Sequence, residues 1–170
     1  LAPYTLQPGE EKNYACTTMM LPADKETVIT EVIPTYGPGI HHVAIYQPIA
    51  LEKMGSFDCP ELTKNTWIPL YVTGVDSGPL KIPAGSALRL PAGSQILVQL
   101  HLQNVSAKPI SASSAVLFRT IDPATMVQQA GIFGFDFRGI SIPARGRDIE
   151  QSMSCTMTQD KDVFAVLGHK

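Results

Sequence analysis

The chain has 170 residues, 44% hydrophobic and 16% charged, with 13 Lys plus Arg against 15 Asp plus Glu for a net charge of −2. That is about one domain of material, apolar enough for a packed core, so intrinsic disorder is not the expectation. There is no basic block to serve as a footprint for nucleic acid or an anionic membrane, and no apolar run approaches the ~18–20 residues of a membrane span.

The first residues, Leu1-Ala2-Pro3-Tyr4, lack the charged and apolar regions of a signal peptide, so the expectation is a soluble chain from which any export signal has been removed. Thirteen Gly and 14 Pro, spread along the whole length, divide the sequence into pieces too short for long helices. Strand-like segments follow in order at Thr27–Ile33, Ile40–Tyr46, Trp67–Thr73, Ser86–Leu90, Gln95–Gln103, Ala115–Arg119, Gly131–Arg138, Glu150–Met157 and Val163–Leu167. Their regular spacing between Pro/Gly turns predicts an all-β fold, an antiparallel β-sandwich. Weak helical periodicity is confined to Ile49–Met54.

The clearest strand is Gln95–Gln103, where Ile96, Val98, Leu100 and Leu102 alternate with Leu97, Gln99, His101 and Gln103. The first set forms a core face, and His101 points away from it. Two Pro-Ala-Gly-Ser runs, at Pro83–Ser86 and Pro91–Ser94, predict successive corners around one short strand. Phe133, Phe135 and Phe137 alternate with Gly134, Asp136 and Arg138 as in a half-buried strand. Just before them, Arg119–Pro123 is the best candidate boundary, giving an N-terminal sandwich over 1–120 and a segment over 121–170. That segment offers roughly three strands where a free-standing sandwich needs about seven. It therefore reads either as the start of an incomplete second sandwich or as extra strands on the first.

Four histidines carry the main chemical signal: His41, His42, His101 and His169. The His41-His42 pair opens a strand after Tyr36-Gly37-Pro38-Gly39. Neighbouring side chains of a regular strand point to opposite faces, so joint ligation needs a distorted backbone, which Gly-Pro-Gly permits. Three neutral imidazoles suit copper or zinc better than magnesium or calcium. From the residues alone, a solvated strand start and a merely polar-face His101 are the favoured reading, since spacing does not show that positions 41, 42 and 101 meet.

Other chemistries find less support. There is no GxSxG elbow and no HExxH. Cys16, Cys59 and Cys155 contain no CxxC pair; one disulfide plus one leftover is the simplest arithmetic. A blue-copper site needs a Cys followed closely by His and then Met, and Cys155 does not supply it. The carboxylate pairs Glu10-Glu11, Asp58/Glu61 and Asp160/Asp162 read as solvated surface. Met19, Met20, Met126, Met153 and Met157 are thioether candidates that more often fill cores. Asn104-Val105-Ser106 matches a glycosylation acceptor, a triplet frequent by chance.

Taken together, five ordered motifs are more specific than any one of them: Tyr14–Pro22 around Cys16, Ile40-His41-His42-Val43, Phe57-Asp58-Cys59-Pro60-Glu61, the paired turns of Leu80–Gly93, and Leu97-Val98-Gln99-Leu100-His101. They resemble the copper type II, ascorbate-dependent monooxygenases, the family of the peptidylglycine α-hydroxylating and dopamine β-monooxygenases. The resemblance covers that family's first domain, about residues 4–119, and continues into its second. It implies a jelly-roll-like sandwich in which His41, His42 and His101 ligate the electron-transfer copper, which takes electrons from ascorbate or another one-electron reductant. It further implies a Cys16–Cys59 disulfide, and hence a periplasmic or secreted location.

Met153-Ser154-Cys155 and Phe164–His169 resemble early strands of the family's second domain, ending on the first histidine of its His-x-His. His169 would then be part of a second, oxygen-activating copper site, and Cys155 would pair with a cysteine further downstream. The expectation is a piece of a two-domain enzyme that hydroxylates a C–H bond with O2, with negligible catalysis by residues 1–170 alone. Copper affinity is expected to fall as pH drops through about 6–6.5, because the ligating nitrogens must be unprotonated. The alternative is a non-enzymatic exported copper-binding or one-electron-carrier protein using the same three histidines. The substrate, small molecule or peptide, is not legible.

Overall fold

A computed structural model describes residues 1–59, 61–73, 77–134 and 139–166. Within them lie two compact units, Leu1–Ile132 and Phe133–Val166. The first unit contains all the described strands: β1 (Tyr4–Leu6), β2 (Glu11–Met20), β3 (Thr27–Thr35), β4 (Ile40–Pro48), β5 (Gly55–Asp58), β6 (Trp67–Val72), β7 (Leu80–Lys81), β8 (Ser86–Leu90), β9 (Gln95–Gln103), β10 (Ile110–Ala112), β11 (Ala115–Ile121) and β12 (Gln128–Gln129). They form two five-stranded sheets and a β1–β10 pair, so the all-β sandwich expected from the sequence is the observed architecture.

One sheet has the order β5-β2-β9-β4-β6 and is antiparallel throughout. The other runs β11-β3-β8-β12, with β7 also on β3; its last pairing, β12 on β8, is parallel. The main core lies where apolar faces of the two sheets meet. Val43 and Ile45 of β4 and Ile96, Val98, Leu100 and Leu102 of β9 pack with Ile29 and Val32 of β3 and Leu88 and Leu90 of β8. Each fully buried side chain of this kind contributes roughly 1.5–3 kcal/mol. The spacing of Ile29 and Val32 breaks strict alternation because β3 bulges opposite β11, where Arg119 faces Glu31 and the next residue, Thr120, faces Ile29.

The Pro-Ala-Gly-Ser runs are the two corners of β8. Ser86 N–H donates to Pro83 O at 3.0 Å and Ser94 N–H to Pro91 O at 3.1 Å. Gly85 and Gly93 take φ of 84° and 69° at the turn position that only glycine adopts without strain.

Three expectations need correction. Residues 49–54 are not helical, because their backbone groups bond across the chain rather than along it. Glu52 N–H donates to Gln95 Oε1 at 2.8 Å, Gln95 Nε2 donates to Glu52 O at 3.0 Å, and Ile49 N–H donates to Thr66 O at 2.9 Å. The segments expected as strands at Gly131–Arg138, Glu150–Met157 and Val163–Leu167 form none over 131–134, 150–157 and 163–166; residues 135–138 and 167 lie outside the described residues. Alternation states which face a strand would bury, but a ladder also needs a neighbour to accept its hydrogen bonds, and no described segment pairs with these. Within the second unit Ile142, Val163 and Val166 are exposed. Finally, Met19, Met20, Met153 and Met157 are exposed rather than core.

The Asn104-Val105-Ser106 triplet has a structural role. Asn104 is 2% exposed. Its Nδ2 donates to Leu6 O at 3.2 Å and Lys108 O at 2.9 Å, and its Oδ1 accepts from Ser106 N at 3.0 Å and Ser106 Oγ at 2.7 Å. The nitrogen that a glycan would need is buried and occupied, so the folded chain does not present it. Asn104→Ala would take the acceptor from Ser106 N–H and the side-chain donor from Leu6 O, while Ser106 Oγ and Lys108 O keep each other at 2.9 Å, and chemical denaturation should show a loss of about 1–3 kcal/mol.

Candidate metal centre

The site is built on β4 and β9, whose side chains away from the main core alternate as His42, Ala44 and Tyr46 and as Leu97, Gln99 and His101. Below the histidines this face is covered rather than solvated. Cys16, Ala44, Tyr46, Cys59, Trp67 and Leu97 form a second buried cluster, and Gln99, fully buried, donates to Glu61 O at 2.9 Å. The Cys16–Cys59 disulfide lies in this layer, as the resemblance implied. Cys155 is free and exposed.

The covering segment is held by a compact set of polar contacts. Trp67 Nε1 and Lys64 Nζ both donate to Glu52, at 2.9 and 3.0 Å. The Trp67 hydrogen bond, aided by Lys64, holds the Glu52 carboxyl below its usual range. Burial pushes Tyr46 up to about 12, so at neutral pH its hydroxyl keeps its proton and donates to Leu62 O at 3.0 Å.

Register explains how two adjacent histidines share one face. Ile40 pairs with Leu102 and His42 with His101, so His41 is an extra residue in β4. The required backbone distortion is therefore present, directly after Gly39, whose φ of 84° and close approach to Gln103 O and Ile110 leave no room for a side chain. The other neighbour of His101 is also irregular. On β2, Lys12 pairs with Leu102 and Ala15 with Leu100, so residues 13 and 14 both lie opposite His101. Two bulges thus flank one histidine.

The three rings converge. Centroid separations are 5.3 Å for His41–His42, 5.0 Å for His41–His101 and 4.7 Å for His42–His101. One ligand nitrogen from each lies within 4.8 Å of the others, and His41 Nδ1 is 3.2 Å from His42 Nδ1. Metal–imidazole bonds are about 2.0–2.1 Å, so two nitrogens on one ion lie no more than roughly 4.2 Å apart. The closest pair, at 3.2 Å, meets that limit already, and no separation in the group exceeds 4.8 Å. His42 is buried, His101 half-buried and His41 exposed, which leaves one side of the group open to solvent. His101 Nδ1 is buried and has no hydrogen-bond partner among the described residues. A lone pair in that position is costly unless something fills it. The donor set therefore fits a borderline cation that prefers imidazole.

His169 lies outside the described residues. One contributor escaped the sequence reading: Glu11, treated there as solvated surface, accepts from His101 Nε2 at 2.7 Å. An acidic residue ninety positions away carries no sequence signal; only the β2–β9 pairing, which sets Glu11 against Gln103, reveals it. Tyr14, in the β2 bulge, brings its ring to 6.1 Å from that of His101.

Comparison with family models and with curated proteins returns no match.

Proposed function

We infer that this chain binds one copper ion through His41, His42 and His101 and serves as the electron-transfer part of a copper-dependent monooxygenase that hydroxylates a C–H bond with O2 and a reductant such as ascorbate. The observation that carries this reading is the convergence of three histidines from two strands on one solvent-open face. The Cys16–Cys59 pair, which the same family resemblance implied, supports it. Copper rather than zinc follows from that resemblance; imidazole donors suit both ions.

When bound, copper would supply a one-electron couple. The chain's own residues do the rest. The strands hold the three rings at fixed separation, His41 leaves an open side for a reductant to approach, and the buried layer beneath excludes water from the other side. The disulfide next to the site supports an oxidising compartment, the periplasm or the outside of the cell. Among the described residues no helix is long and apolar enough to cross a membrane.

Metal analysis with spectroscopy of the copper-loaded chain tests the reading. One cupric ion per chain, carrying three nitrogen donors and bleached by ascorbate, is expected. Uptake below one equivalent, or a cupric signal without three nitrogen donors, overturns it.

A further inference from the structure

The geometry points to Glu11 as the positioning residue of the metal centre: through His101 Nε2 it selects the tautomer and ring orientation that offer His101 Nδ1 to copper. This rests on the proposed copper site and deepens it.

An ionised carboxylate only accepts hydrogen bonds, so the 2.7 Å contact between Glu11 Oε1 and His101 Nε2 requires the proton on Nε2. A neutral imidazole has one N–H and one lone pair, which leaves the lone pair on Nδ1. That is the atom found buried and without a hydrogen-bond partner among the described residues. Two independent observations thus agree on which nitrogen faces the metal. With the proton on Nδ1 instead, a lone pair on Nε2 would face the carboxylate and the buried atom would be a donor with no acceptor.

Glu11 reaches this position because it pairs with Gln103 on β9, two residues along the same face from His101. A single bulge, which sets residues 13 and 14 together opposite His101, interrupts the regular register just beyond Glu11. The carboxylate is about half exposed, at 46%, against 15% for the His101 side chain. An ion pair this exposed contributes little to folding, so its effect should appear at the metal and not in the stability of the chain.

A carboxylate behind a ligating imidazole makes it a stronger donor and adds negative charge near the ion. Both effects favour Cu(II) over Cu(I). Glu11 would therefore tighten Cu(II) binding and lower the potential at which the site accepts an electron.

The test compares the wild type with Glu11→Ala and Glu11→Gln, measuring Cu(II) affinity by chelator competition and the reduction potential of the copper-loaded chains. Glu11→Ala is expected to weaken Cu(II) binding 10- to 100-fold and to raise the potential, with the melting temperature of the metal-free chain unchanged. Glu11→Gln keeps an acceptor for Nε2–H but not the charge, and is expected to recover part of the affinity. Glu11→Ala with wild-type affinity and potential overturns the role of Glu11, while one equivalent of copper on the wild type leaves the site itself standing. A wild type that takes up no copper overturns both.

Discussion

Replacing His101 with alanine is expected to abolish copper binding at one equivalent per chain and, with it, the thermal stabilisation that copper gives the wild type. His101 is the one ligand supplied by β9; His41 and His42 come from β4. Without it two imidazoles remain, one of them exposed, and the loss should exceed the roughly 10- to 100-fold cost of removing a residue that only supports a ligand. A ligand that binds the folded state alone stabilises it by about 4 kcal/mol at a thousand times its dissociation constant. For a chain of this size that raises the melting temperature by about 8–16 °C. The metal-free variant should melt close to the metal-free wild type, because Nδ1 makes no hydrogen bond to lose and the one bond that is lost, from Nε2 to the half-exposed Glu11, contributes little to folding. Calorimetry with and without one equivalent of copper checks both statements. Equal copper uptake and equal stabilisation in the two chains would remove His101 from the site.

The second large effect belongs to the disulfide. Cys16 and Cys59 are separated by 43 residues. In the chain-entropy account, closing a loop of that length stabilises the fold by about 4 kcal/mol. The bridge ties β2 to the segment following β5 within the buried layer under the histidines. Its removal should therefore loosen the floor of the metal site as well as lower global stability. A Cys16→Ser/Cys59→Ser double variant is expected to melt about 8–16 °C lower and to bind copper more weakly than the wild type. An unchanged melting temperature would show that packing around Trp67, Leu97 and Gln99 holds this layer without the covalent link.

The sheet that carries the site was partly legible in advance. Gln95–Gln103 announced itself because the main core takes every second residue, and Ile40–Tyr46 and Trp67–Thr73 were apolar enough to be found on the same grounds. Glu11–Met20 was not found as a strand, although it lies between β5 and β9. Its residues, Glu-Lys-Asn-Tyr-Ala-Cys-Thr-Thr-Met-Met, do not alternate, and a bulge interrupts its register. Segments 150–157 and 163–166 show the converse: they carry strand-like patterns, but no described neighbour completes a ladder with them.

By itself the sequence determined the all-β class, the two turns around Ser86–Leu90, and the histidines from which any metal site must be drawn. These are local properties, written in side-chain periodicity, in glycine's access to positive φ, and in the donor chemistry of imidazole. Only the tertiary structure decided that His41 and His42 share a face, that Glu11 backs His101, and that Asn104 is a buried connector rather than a glycan acceptor. Those outcomes depend on bulges and cross-strand register. One extra residue reverses the face a side chain occupies, and nothing in a strand's own sequence records where its neighbour will slip.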